Sequence, residues 1–66
     1  MTIYLNGNEN QINDPSLDTL LRNKGLLEKH GIALALNNQV IPRANWSAVM
    51  LKNNDKVLII TATQGG

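Results

Sequence analysis

Sixty-six residues carrying six Lys/Arg and five Asp/Glu, a formal net charge of +1, make one small domain near the lower size limit for an unaided core. The basic residues are dispersed and there is one Tyr, one Trp and no Phe, so no nucleic-acid surface is expected, and the longest apolar runs are far short of a membrane span. Cysteine is absent, which excludes disulfides, thiol nucleophiles and cysteine-based metal sites and leaves apolar burial to hold the fold.

Met1, Ile3 and Leu5 alternate with polar positions and predict a half-buried strand entered directly from the N-terminus, with no signal peptide. Asn6, Gly7 and Asn8 mark a turn, because Asn and Gly tolerate positive φ. Residues 9–13 read as a short polar return strand at the sheet edge, pinned by Ile12. A helix opens at Asp14, Pro15 and Ser16, with either Asp14 or Ser16 as the cap. Leu17, Leu20 and Leu21 fall on one helical face. Gly25 fits the residue just past the helix end, with Leu26 folding back on Leu21 and Leu27 adding to the core. The lone His30 is expected in solvent, in a loop.

Residues 32–36 alternate large apolar residues with Ala and predict a second apolar strand. Asn37 and Asn38 make a tight turn, Gln39, Val40 and Ile41 a short return, and Pro42 ends it, since proline cannot donate to a ladder. Residues 43–50 read as an irregular loop or single helical turn carrying Trp46 and Val49, with Trp46 closing the loop over the core. A polar turn over Lys52, Asn53, Asn54 and Asp55 precedes the strongest strand, residues 56–62, whose apolar run Val57-Leu58-Ile59-Ile60 suits the middle of a sheet.

The order β-β-α-β-β-β, with first and last strands side by side, predicts an α+β fold of β-grasp (ubiquitin-like) type. Its mixed four- or five-stranded sheet carries one main helix on one face. Residues 1–62 are the expected folded core. Residues 63–66, Thr63, Gln64, Gly65 and Gly66, lack an apolar anchor and are the expected flexible tail.

A chance Gly-Gly ending occurs roughly once in 200 chains at average glycine usage. A slim tail ending in a carboxylate fits a different use, because it threads into another protein's active site. There ATP can activate it as an acyl adenylate for attack by a nucleophile. The four tail residues span at most about 13–14 Å. Apolar side chains on the helix-free face of the sheet, with Tyr4 and Ile59 as candidates, are an expected interface patch, and Arg43 is a candidate for a partner or a carboxylate.

The stretch Ala35-Leu36-Asn37-Asn38-Gln39-Val40-Ile41-Pro42-Arg43-Ala44-Asn45-Trp46 resembles the signature of the thiamine-biosynthesis sulfur carrier family: an Asn turn, an apolar pair, Pro-Arg, and Trp three residues later. The spacing from Leu51 to Asp55 and the Gly-Gly end are similar too, so the resemblance covers essentially the whole chain. Pro42-Arg43-x-x-Trp46 is its discriminating part, because ubiquitin-like modifiers and molybdopterin-synthase small subunits share the fold and terminus but generally lack it. Asn54-Asp55 replaces the Gly-Asp common in the family, and Thr63 and Gln64 stand where small or apolar residues are common.

The resemblance implies a carrier and not an enzyme. Gly66 would be adenylated and converted to a thiocarboxylate that donates sulfur for the thiazole of thiamine. The implied partners are an E1-like adenylyltransferase, thiazole synthase and a sulfur-donor protein. ATP would be used by the partner, with no cofactor or metal bound to this chain, which would be a cytoplasmic monomer when free. The alternatives are a molybdopterin-synthase small-subunit type of carrier, a protein modifier forming an isopeptide at Gly66, and a non-covalent β-grasp binding module.

Overall fold

The computed structural model describes residues 1–61. Its element order is β1 (Thr2–Leu5), β2 (Asn8–Gln11), α1 (Leu17–Asn23), β3 (Ile32–Leu36), β4 (Gln39–Val40), a 3₁₀ helix (Arg43–Ala48) and β5 (Lys56–Thr61). The expected tail, residues 63–66, and the last residue of the expected core, Ala62, lie outside the described residues.

The strands form one five-stranded sheet in the order β2-β1-β5-β3-β4. β1 runs parallel to β5, pairing Tyr4 with Lys56 and Leu5 with Val57, and the neighbouring pairs β1–β2, β3–β5 and β3–β4 are antiparallel. This is the β-grasp arrangement, with the most apolar strand in the centre. The hairpin turns obey local chemistry. Asn6 (φ 50°) and Gly7 (φ 84°) close the first, Asn37 (φ 49°) and Asn38 (φ 72°) the second, the paired left-handed geometry of a tight two-residue connection. Asn54 takes φ 73° in the turn before β5, a left-handed position that asparagine tolerates better than other side chains.

Both helix-start residues have a task. Ser16 occupies the cap position without a side-chain cap bond. Asp14 supplies the acceptors instead: Oδ1 receives the Ser16 amide at 2.9 Å and Oδ2 the Thr19 hydroxyl at 3.0 Å. The helix stops in a Schellman arrangement. The Leu26 amide donates to Leu21 O at 2.8 Å and the Gly25 amide to Arg22 O at 3.0 Å, with Gly25 at φ 73°.

Leu17, Leu20 and Leu21 of α1 are buried against Ile3, Leu34, Val57 and Ile59 of the sheet, together with Trp46 and Leu51. Leu5, Ile12, Leu26 and Leu27 pack around this cluster. Residues 43–50 resolve into the 3₁₀ helix plus an extended exit, where Ser16 bridges Met50.

The continuous apolar run in β5 does not mean two buried faces. Val57 and Ile59 point at the helix, while Leu58 is 47% and Ile60 53% exposed. Ile59, expected on the helix-free face, is only 9% exposed and belongs to the core cluster, which corrects that assignment. The parallel register decides it. Leu5 faces Val57, so residues 57 and 59 share the core side with Ile3 and Leu5, and side chains alternate along the strand.

Candidate functional site

Tyr4 lies where expected, half-buried on the helix-free face, paired in register with Lys56. The apolar part of that face is built from residues the sequence reading passed over. Leu58 stands opposite Ala35, which stands opposite Val40, and Ile60 stands opposite Ala33. Val40 is 70% exposed. The result is an apolar strip across β5, β3 and β4 with no helix over it. Tyr4, Asn6 and Gly7 at the first hairpin turn, Asn38 in the second, and Lys56 to Leu58 at the start of β5 line a surface depression of about 420 Å³. Exposed apolar side chains gathered on one sheet face are the mark of an interaction surface. Here the strip follows the strand that leads toward residue 66.

Arg43 is occupied within the chain. Its Nη1 donates to Leu27 O at 2.9 Å and its Nη2 to Lys29 O at 2.6 Å. Its Cζ sits 4.4 Å from the centroid of the Trp46 ring, a cation–π contact. Trp46 is itself buried, and its indole Nε1–H donates to Ile41 O at 2.8 Å. Pro42-Arg43-x-x-Trp46 is therefore a clasp. The indole fills the core, and the stacked guanidinium holds the loop between α1 and β3 by two carbonyls. One turn of 3₁₀ helix brings positions 43 and 46 onto the same side, which is why the spacing is three.

Asparagine side chains hold the start and the middle of β5. Asn6 Oδ1 accepts the Ile59 amide at 2.7 Å. Asn37 Oδ1 accepts the Lys56 amide at 2.9 Å, and Asn37 Nδ2 donates to Asp55 Oδ1 at 3.0 Å. Asp55 Oδ2 also receives the Lys52 amide at 2.7 Å, which closes the turn before β5. Local sequence marks Asn6 and Asn37 as turn formers. Their long-range bonds span 53 and 19 residues and had no local signal.

Nothing in this geometry resembles a catalytic centre among the described residues. They hold no group of three His, Cys, Asp or Glu side chains able to take a metal ion, and His30 is exposed in a loop. No described helix is long and apolar enough to cross a membrane. Gly66, Gly65, Gln64 and Thr63 lie outside the described residues.

The model of the ThiS family matches residues 3–66. The chain belongs to the ThiS family. That match takes in the clasp, the apolar strip and both terminal glycines. Among curated relatives, an uncharacterized protein ycf40 of Trieres chinensis is 36% identical over 70 residues, covering 98% of this chain and 89% of that protein. The sulfur carrier protein ThiS of Escherichia coli (strain K12) is 36% identical over 36 residues, covering 54% of each chain. The crystal structure of a thiamine biosynthesis protein (ThiS) from Geobacter metallireducens superposes with a TM-score of 0.83 at 22% identity, covering all of both chains. A solution structure of a thiamine biosynthesis protein from the same organism gives 0.76 at 22% identity, covering all of this chain and 88% of the other. At that identity the two structures speak for the fold alone, and both have the β-grasp found here.

Proposed function

We propose that this chain is a sulfur carrier of thiamine biosynthesis, whose terminal carboxylate on Gly66 is activated and then loaded with sulfur by partner enzymes. The observation that carries the reading is the family match running through residue 66, on a chain whose exposed apolar strip lies on the strand feeding that end.

The chemistry divides between carrier and partner. A carboxylate is a poor electrophile because its charge is delocalised and its leaving group is oxide. In an E1-like adenylyltransferase, a Gly66 oxygen attacks the α-phosphorus of ATP and pyrophosphate leaves. A sulfur nucleophile from a donor protein then attacks the carbonyl carbon and AMP leaves. When the nucleophile is a persulfide on the donor, the acyl disulfide so formed is cleaved by a second thiol. That thiol ends in a disulfide with the donor sulfur, and Gly66 is left with a thiocarboxylate, which thiazole synthase consumes. The chain contributes no acid, base or metal to these steps. It is a protein co-substrate and works in the cytoplasm alongside its partners. Its part is a docking face and a narrow tail, in which the two glycines offer no side chain to a confined active site. Both partners use the same carrier in turn, so each must release it. A strip of a few half-exposed apolar residues suits such reversible docking better than a large permanent interface.

Intact mass tests the reading. The full chain is incubated with ATP, the adenylyltransferase and the sulfur donor. One oxygen of the native chain should be replaced by sulfur, and a chain lacking Gly66 should remain unchanged while keeping its fold. A native chain that never gains sulfur refutes the proposal, and an isopeptide product would identify a protein modifier instead.

A further inference from the structure

We infer that the free edge of β5 at Ile59–Thr61 is a strand-addition site, and that its occupant is an extended backbone segment of the enzyme that activates the tail; the inference rests on the carrier reading above. β5 is central only in its first half. Its register with β1 stops at Leu5–Val57, because the chain turns away at Asn6 and Gly7. On the other side, pairing with β3 continues to Thr61.

Backbone direction follows from the bonds on each side. Lys56 exchanges bonds with Asn37 on the β3 side, so the even-numbered residues of β5 turn their N–H and C=O groups to β3. The odd-numbered residues face β1. Asp55 O accepts from the Tyr4 amide, Val57 O accepts from the Asn6 amide, each at 2.9 Å, and the Ile59 amide donates to the Asn6 side chain. The next two groups on this side are the Ile59 C=O and the Thr61 N–H. Among the described residues neither has a hydrogen-bond partner.

An acceptor and a donor two residues apart are what one residue of a parallel strand satisfies with its own N–H and C=O. Asn6 ends the internal ladder by supplying a side-chain oxygen where a strand would have supplied a backbone carbonyl. The vacant position follows immediately, opposite Ile60, beside the exposed Leu58–Ile60 strip and at the root of the tail. A strand edge of this kind is a template for an added strand. Backbone bonds at Ile59 and Thr61 would fix the direction of β5 where it leaves the sheet, which side-chain contacts on the apolar strip do not.

The test uses the full chain with saturating adenylyltransferase, and reads sulfur gain at Gly66 in parallel. Amide exchange of Thr61 should be fast in the free chain and slow by about tenfold or more in the complex. Thr61 faces Ile32 as a pair without mutual hydrogen bonds in the β3 ladder, so Thr61→Pro removes the outward N–H and no bond to β3. The KM of the adenylyltransferase for Thr61→Pro should exceed that for Thr61→Val, which retains the N–H, by about fivefold or more. If Gly66 gains sulfur while Thr61 exchanges as fast as in the free chain, or the two variants share one KM, the edge carries no strand and the carrier reading stands. If Gly66 never gains sulfur, both fall. Should Thr61→Pro fail to fold, the exchange measurement on the native chain decides.

Discussion

Two leucine-to-alanine changes separate folding from docking. Leu21 is fully buried under the sheet, and Leu58 is about half exposed on the opposite face. Leu21→Ala removes buried methyl and methylene groups and leaves a cavity, at a cost of about 2–5 kcal/mol. A chain of this size has about 3–10 kcal/mol of stability in all, so much of the population would unfold. Leu58→Ala removes the same atoms from a half-solvated site. At about 0.8 kcal/mol per buried CH₂, half-burial corresponds to a loss of about 1 kcal/mol. Docking covers the remaining half, so binding to the adenylyltransferase should weaken by a similar ~1 kcal/mol, roughly fivefold in Kd. Urea denaturation measures the first pair of values, and titration of the enzyme with folded carrier the second. Equal destabilisation by the two changes would refute the face assignment. An unaltered Kd for Leu58→Ala would refute the docking role of the strip.

Asn6→Gly keeps the left-handed turn but removes the oxygen that receives the Ile59 amide; exchange at Ile59 should quicken and stability fall by about 1–3 kcal/mol, read by amide exchange and urea melts. Arg43→Lys cannot reach two carbonyls with a planar fork, so stability should fall by about 0.5–1.5 kcal/mol, with faster exchange confined to the loop between α1 and β3. Gly25→Ala meets no atom within 4 Å of the added Cβ, so its cost should be conformational alone, about 1 kcal/mol by denaturation, and a much larger loss would show that packing had been missed.

Features that depend on neighbours a few residues apart were legible in the chain. Alternation placed β1 and β3, a continuous apolar run placed β5, helical spacing placed the three leucines of α1, and the left-handed residues Asn6, Gly7, Gly25, Asn37 and Asn38 placed the turns and the helix end. The element order then left the β-grasp as the arrangement that covers the leucine stripe. Pro42-Arg43-x-x-Trp46 pointed to the family but not to its own role. Only the fold brings the guanidinium of Arg43 to Leu27 and Lys29, 16 and 14 residues away.

The two faces of β5 were likewise a tertiary decision. In a run of four apolar residues, period-two patterning carries no information about which pair faces the helix. The parallel register with β1 settles it, placing Val57 and Ile59 inside and Leu58 and Ile60 outside. The free edge beyond Leu5 has the same origin. It exists because β1 is shorter than β5 and turns away at Asn6, a mismatch between two segments some fifty residues apart that no local pattern records.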